Sequence, residues 1–226
     1  MNGSTPTTDA DDRAVRVLLV DDHDLFRTGL RNLLEEHGVD VVDEAGSGCD
    51  ALQGVRESAP DVVVMDLNMP GMNGVDATMH ISRDAPHTRV IVLTISDQEQ
   101  DVMDAILAGA CGYLLKDASI QDLLKGIEAA AVGESLISPH IAGKVLQHVR
   151  ATTAAPAAAA TIRSELSDRE IQVLRLIASG NENTEIAREL HISPKTVKNH
   201  ISNILMKLQI ENRIQAAVYA VRSGLV

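Results

Sequence analysis

The chain has 226 residues, 45% of them hydrophobic, and a formal net charge of −12. Its length suits one large domain or two modest ones. Its longest apolar runs are too short to span a bilayer, so we expect no membrane segment. Residues 1–13 lack an apolar core and are predicted to be a disordered leader rather than a signal peptide. Cys49 and Cys111 are far apart in the sequence, which favours free thiols in a reducing cytoplasm.

The charge is divided unevenly along the chain. Residues 161–226 carry nine basic and seven acidic side chains, a net charge of +2, so the remainder carries −14. Between Leu190 and Ile210 there is no acidic residue at all. An asymmetry of this kind indicates two domains, of which the second has a locally basic face that suits nucleic acid.

After the leader, strand and helix patterns alternate five times. The predicted strands are 15–20, 39–44, 62–65, 89–95 and 113–115. The predicted helices are 24–37, 48–58, 73–83, 97–108 and 119–131. Five strand–helix units with short connections predict an α/β fold, a flavodoxin-like, doubly wound five-stranded parallel sheet covered on both faces.

Polar side chains follow three of these strands where each strand ends. Asp66 ends the apolar run 62–65, Asp21 and Asp22 follow the first strand, and Thr94 lies near the end of the fourth. Ligands of open α/β sheets bind at the carboxyl ends of the strands, and neighbouring strands lie about 4.8 Å apart. Clustered carboxylates repel unless a cation neutralises them, and hard oxygen ligands select magnesium. The sequence therefore predicts a Mg²⁺ site at this edge.

The second half of the chain is predicted to be a tether followed by helices. Residues 134–162 are predicted to be a linker with a short helix, and 151–160 are an alanine-rich, low-complexity tether. Residues 163–226 predict a small all-α domain of four helices. Their predicted starts are a capping box at Ser167 and Glu170, a cap at Asn183, Ser193-Pro194, and a cap at Asn212.

Residues 14–133 resemble the receiver domain of two-component response regulators. The resemblance rests on Asp21-Asp22, on Asp66 within Asp-Leu-Asn-Met-Pro-Gly-Met-Asn-Gly, on Thr94, and on Lys116 after Gly-Tyr-Leu-Leu. The C-terminal part is similar to the LuxR-type helix-turn-helix, through Leu-Ser-Asp-Arg-Glu, Asn-Thr-Glu-Ile-Ala and Ile-Ser-Pro-Lys-Thr-Val-Lys-Asn-His. Together these motifs point to the NarL/LuxR family of response regulators.

The resemblance implies a phosphorylation switch in the first domain. Asp66 would accept a phosphoryl group from a sensor histidine kinase. Asp21, Asp22, Asp66 and the backbone carbonyl of Asn68 would ligate Mg²⁺. Lys116 and Thr94 would bind the phosphoryl group. Tyr113 would follow the movement of Thr94, as a two-state element biased by local charge.

The resemblance also implies that residues 194–208 form a recognition helix for double-stranded DNA. Lys198, Asn199 and Ser202 occupy positions used for bases or nearby phosphates. The other expected DNA contacts are Lys195, Thr196, His200, Asn203 and Lys207. The last helix would dimerise the phosphorylated protein through Ile214, Ala217, Val218 and Val221, although a core-only role fits these apolar residues nearly as well. RNA polymerase is left open as a further partner.

Three other functions compete with this interpretation. A haloacid-dehalogenase-like phosphatase would need a second aspartate two residues after the nucleophile, where this chain has Asn68. A dinucleotide-binding protein would need Gly-x-Gly-x-x-Gly after the first strand, which is missing. A DNA-binding regulator controlled by protein contacts alone would not need the complete acidic site. We therefore expect a cytoplasmic transcription regulator, not an enzyme.

Overall fold

The computed structural model describes residues 13–138, 141–145 and 166–225. Residues 1–12 of the predicted leader and the alanine-rich tether lie outside these residues. Of the linker helix expected after Ser138, residues 141–145 are described and are helical. Within the described residues, each helix is too short or too polar to cross a membrane.

The first domain is built on one parallel sheet of six strands in the order β2-β1-β3-β4-β5-β6. The strands are β1 Arg16–Val20, β2 Asp40–Ala45, β3 Val62–Met65, β4 Arg89–Thr94, β5 Gly112–Leu115 and β6 Leu136–Ile137. The prediction of five strands missed β6, which pairs with β5 through Gly112 and Tyr113. A two-residue strand is too short to show a hydrophobic period, so only its pairing reveals it.

Five helices cover the two faces of the sheet. They are α1 Asp24–Glu36, α2 Gly48–Ser58, α3 Gly74–Asp84, α4 Glu99–Leu107 and α5 Ile120–Ala131. In β3, Val62 and Val64 enter one apolar core, and Val63 and Met65 enter the core on the opposite face. Burial on both faces explains why β3 is an uninterrupted apolar run, and it confirms the doubly wound architecture.

The second domain contains the four predicted helices: α6 Asp168–Ala178, α7 Asn183–Leu190, α8 Pro194–Leu208 and α9 Arg213–Arg222. The capping box of Ser167 with Glu170 is present, and Ser193 and Asn212 cap α8 and α9. The cap predicted at Asn183 is wrong. The cap is Glu182, whose amide bonds to the Glu185 carboxylate at 2.9 Å. Asn183 is instead the first helical residue and is buried.

Candidate functional site

The acidic residues meet at the carboxyl ends of neighbouring strands. Val20 at the end of β1 pairs with Met65 at the end of β3, so Asp21 and Asp66 leave the sheet side by side. The Asp66 amide donates to the Val20 carbonyl at 2.8 Å, which fixes this exit. Both carboxylates are buried, with 5% and 3% exposure. Two buried like charges this close require a cationic partner.

Lys116, which follows β5, supplies that partner. Its Nζ lies 2.6 Å from Asp21 Oδ2 and 2.7 Å from Asp66 Oδ2. The ammonium also lies 4.6 Å from the centre of the Phe26 ring, a cation–π distance. Burial alone lowers the pKa of Lys116, but the hydrogen bonds to Asp21 and Asp66 outweigh burial and raise it. The lysine therefore stays charged at neutral pH and joins β1, β3 and β5.

The acidic cluster suits a hard divalent cation. One ligand atom from each of Asp21, Asp22, His23 and Asp66 lies within 4.8 Å of the others. Asp22 Oδ1 is buried and accepts no hydrogen bond from the described residues. It lies 2.8 Å from His23 Nδ1, but without hydrogen-bond geometry. A buried carboxylate oxygen without a donor is costly, and a bound Mg²⁺ would satisfy it.

Glycine is required where the helix after Asp66 begins. A β-carbon on Gly74 would lie 2.0 Å from the Asp66 carbonyl oxygen and 2.7 Å from the Leu67 Cα. The Gly74 amide donates to the Leu67 carbonyl at 2.9 Å, which folds α3 back against the end of β3. The Pro-Gly-Met-Asn-Gly turn therefore sets the position of the Asp66 backbone.

The two predicted switch residues meet at Ser96. Thr94 Oγ1 is fully buried and accepts long bonds from the Ser96 amide at 3.4 Å and from Asn68 Nδ2 at 3.5 Å. The hydroxyl of buried Tyr113 donates to the Ser96 carbonyl at 2.8 Å. Burial raises the pKa of Tyr113, so its phenol remains a protonated donor. Thr94 thus binds the backbone amide of Ser96, and Tyr113 binds the backbone carbonyl of the same residue.

Sequence reasoning assigned no role to three residues of this site: His23, Phe26 and Ser96. His23 could have been noticed, because it directly follows the acidic pair and its amide donates to Asp21 Oδ1 at 2.8 Å. Phe26 is the only phenylalanine in the chain, but its place against Lys116 depends on two distant elements. Ser96 takes part through its backbone carbonyl, which accepts the bond from Tyr113, and a backbone contact of this kind leaves no side-chain signal in the sequence.

The predicted DNA-contacting residues of α8 fall into three groups. Five are exposed on one polar face: Lys195, Lys198, Asn199, Ser202 and Asn203. Thr196 and His200 are partly buried, and the Thr196 amide donates to the capping Ser193 Oγ at 3.0 Å. Lys207 Nζ binds both oxygens of the buried Glu170 carboxylate at 2.9 and 2.7 Å. Lys207 is also exposed, but its ion pair joins α8 to α6.

Three of the four residues predicted for dimerisation pack in a cluster shared with the first domain. Ile214 and Val218 are 6% and 7% exposed, and they belong to one apolar cluster with Met103 and Ile106 of α4. Val221 packs against the same cluster, whereas Ala217 packs against the core of the second domain. The apolar face of α9 is thus in contact with α4, while the polar face of α8 remains exposed.

Polar contacts reinforce this docking at two places. At the start of α9, Asn212 Nδ2 donates to the Ala110 carbonyl at 3.1 Å, and Gln215 Nε2 donates to the Ile106 carbonyl at 2.9 Å. Beyond α5, the Glu134 carboxylate accepts from Asn183 Nδ2 at 2.9 Å. Each contact satisfies a polar group that docking would otherwise bury unpaired.

Comparison with known proteins agrees with this architecture. Residues 17–128 match the family described as "Response regulator receiver domain", and residues 164–220 match "Bacterial regulatory proteins, luxR family". The fold and site therefore define a two-component response regulator with a DNA-binding domain, which is a transcription regulator and not an enzyme.

Individual relatives identify the family within this class of proteins. "Transcriptional regulatory protein LiaR" of Bacillus subtilis is 43% identical, over 94% of this chain and 99% of that protein. A crystal structure of the response regulator ChrA of a heme-sensing two-component system is 36% identical and covers 94% of this chain and 99% of its own, with a TM-score of 0.51. An RcsB–DNA complex is 28% identical and covers 92% and 98%, with a TM-score of 0.56. The chain belongs to the NarL/LuxR family of response regulators.

Proposed function

We propose that this protein is a cytoplasmic transcription regulator switched by Mg²⁺-dependent phosphorylation of Asp66 by a sensor histidine kinase. The observation that carries the proposal is the placement of Lys116 between the buried Asp21 and Asp66 carboxylates. A charged lysine there offsets the negative charge of the nucleophile before phosphorylation. Its ammonium can then bind an incoming phosphoryl group.

The two oxygens of Asp66 have unequal partners. Oδ2 is held by Lys116 at 2.7 Å, whereas the one hydrogen bond to Oδ1 from the residues that the structure describes is a long contact of 3.4 Å from the Asn68 amide. Oδ1 is therefore the nucleophile. It forms a bond to the phosphorus of a phosphohistidine as the nitrogen–phosphorus bond breaks, and the leaving imidazole keeps the electron pair. Lys116 and the hydroxyl of Thr94 then donate hydrogen bonds to phosphoryl oxygens.

Asp21, Asp22, Asp66 and the Asn68 carbonyl would hold the magnesium ion. Once bound, Mg²⁺ offsets the charge that the phosphoryl oxygens and carboxylates accumulate together. Asp22 Oδ1 supports this assignment, since it is buried and accepts no hydrogen bond within the described part of the chain. His23 is a nitrogen donor and suits this cation less well than the carboxylates do. Its amide bond to Asp21 instead orients the acidic loop.

Regulation would act through α9. Ile214 and Val218 cannot contact a second copy while they pack on α4. Phosphorylation is proposed to loosen this docking, so that two DNA-binding domains pair through α9. The pair would favour half-sites about 10 base pairs apart, one turn of DNA. Lys198, Asn199 and Ser202 would read bases, and Lys195, Thr196, His200 and Asn203 would contact the backbone.

A phosphodonor assay tests the first step. Wild type, Asp66→Asn and the exposed control Asp40→Asn are incubated with phosphoramidate and Mg²⁺, and are separated on a phosphate-affinity gel. We expect a shifted band for wild type and for the control, and none for Asp66→Asn or after chelation of Mg²⁺. Phosphorylation that persists in Asp66→Asn would refute the assignment of the acceptor.

A second assay joins phosphorylation to DNA binding. Mass in solution and binding to random-sequence DNA are measured with and without beryllofluoride, a phosphoryl mimic. A shift to dimer with enrichment of two-fold symmetric sites supports the proposal, and Lys198→Ala should then weaken specific binding by about 1–3 kcal/mol. If mass and binding do not change, a regulator controlled by protein contacts alone becomes the better description.

A further inference from the structure

A short segment of the linker packs beneath the interface between the two domains. Ile141 and Val145 are 0% and 6% exposed, and both belong to the cluster that contains Tyr113, Ile214 and Val218. Residues four apart lie on the same face of a helix, so one apolar face of residues 141–145 touches both the receiver and α9. This segment is therefore part of the docked arrangement rather than a loose connection.

Lys144 attaches this segment to the loop between β4 and α4. Its Nζ lies 2.7 Å from Asp97 Oδ2 and also donates to the backbone carbonyl of Asp97. The lysine side chain is about one-quarter exposed, and the aspartate side chain about one-half. Because the ammonium binds both the side chain and the backbone of residue 97, it restrains the path of the loop as well as its carboxylate.

The loop held by Lys144 is the one on which the phosphoryl switch acts. The residue before Asp97 is Ser96, whose amide donates to Thr94 Oγ1 at 3.4 Å and whose carbonyl accepts from Tyr113 at 2.8 Å. If Thr94 turns its hydroxyl towards a phosphoryl group, the Ser96 amide loses its acceptor. A movement of Ser96 would then displace both acceptors of Lys144, because they belong to the next residue.

We propose that the Lys144–Asp97 contact is a latch. It holds the interdomain linker to the β4–α4 loop while Asp66 is unphosphorylated, and movement of Thr94 and Ser96 releases it. The proposal rests on the proposed phosphorylation of Asp66, and it adds a route by which that event reaches α9. Thr94, Tyr113 and Lys144 act on two consecutive residues, so a small local change alters all three contacts together.

The test uses the full-length protein and measures hydrogen exchange of the amides in α4 and α9. The variants are Lys144→Met, which keeps the aliphatic stem, Lys144→Arg, which keeps the charge, and Lys125→Met, an exposed control on α5. Without phosphodonor, we expect exchange at the interface to rise about threefold to tenfold in Lys144→Met only, the range for a partly exposed, charge-assisted pair. Beryllofluoride should raise the exchange rate at the interface of the wild-type protein towards that of Lys144→Met.

The outcomes separate the latch from the phosphorylation switch. If beryllofluoride opens wild type but Lys144→Met exchanges no faster than Lys125→Met, the latch is overturned and the phosphorylation switch stands. If Lys144→Met is open but beryllofluoride leaves wild type closed, the phosphorylation switch fails, and release of the latch by Asp66 fails with it. Thermal unfolding of each variant shows whether faster exchange reflects opening or loss of the fold.

Discussion

The side chain of Asn212 makes two bonds that belong to different domains. Its Oδ1 accepts from the Gln215 amide at 2.8 Å and so begins α9, while its Nδ2 donates to the Ala110 carbonyl of the receiver at 3.1 Å. The residue is 4% exposed. The start of the helix that carries the apolar face is therefore fixed to the first domain by the same side chain that caps it.

Asn212→Asp separates these two roles. An aspartate keeps the capping oxygen but loses the donor, and it places a carboxylate against the Ala110 carbonyl. We expect the docked state to be destabilised by about 1–3 kcal/mol, the cost of a buried polar group left unpaired. Hydrogen exchange at α4 and α9 in the unphosphorylated protein measures this opening. Asn73→Asp, at the exposed cap of α3, is the matched control and should leave exchange at the interface unchanged.

The contact between Phe26 and Lys116 predicts an energetic coupling. A cation over an aromatic ring contributes about 0.5–2 kcal/mol, so Phe26→Leu should cost more in the wild-type background than in Lys116→Met. A double-mutant cycle on the free energy of unfolding isolates this difference from the packing loss. Phe26→Tyr keeps the ring and should restore most of the coupling. A coupling near zero would show that the ring only packs there.

Gly74→Ala should disturb the proposed phosphorylation site through the backbone of Asp66. The added methyl group would lie 2.0 Å from the Asp66 carbonyl oxygen, so the Asp66 backbone must move. We expect a loss of stability of about 1–3 kcal/mol, typical of overpacking, and slower phosphorylation by phosphoramidate. Gly29→Ala is the control, since a β-carbon on Gly29 would meet nothing within 4 Å. Equal rates in both variants would contradict the expected strain.

The ion pair of Lys207 with Glu170 predicts a pH-dependent stability. Burial alone raises the pKa of Glu170, but the bonds from Lys207 and Ser167 outweigh it and hold the pKa below the ordinary 4.5. A lowered carboxyl pKa means that the unfolded state binds the proton more readily. The stabilisation is therefore complete above the unfolded pKa and is lost as the pH falls through the folded value.

Lys207→Met should accordingly lower the free energy of unfolding at pH 7 by about 1–2 kcal/mol, a moderate figure because solvent reaches the lysine. Wild type and variant should converge as the pH falls below the ordinary carboxyl range. The same variant tests the predicted DNA contact. If Lys207 is mainly structural, the salt dependence of DNA binding should change less in Lys207→Met than in Lys195→Met, which removes an exposed charge worth nearly one unit of slope.

Local sequence signals determined most of the elements and the residues of the acidic site. The helix predicted at 48–58 is found with the same bounds, because Ser47 caps it and accepts from the Asp50 amide at 3.2 Å. Asp66 was placed correctly at a strand end, since an apolar run without alternation predicts a doubly buried strand and a turn follows at once. Ser193-Pro194 marked the start of α8 in the same way.

Only the tertiary structure decided which of these residues meet. Lys207 finds Glu170 at a separation of 37 residues, Lys144 finds Asp97 at 47, and Asn212 finds Ala110 at 102. Hydrophobic period and capping residues specify one helix or strand at a time, so they cannot distinguish a lysine that contacts DNA from one that joins two helices. The packing of α9 against α4 could not be predicted from the sequence for the same reason. The apolar face of α9 suits a second copy and the receiver equally well.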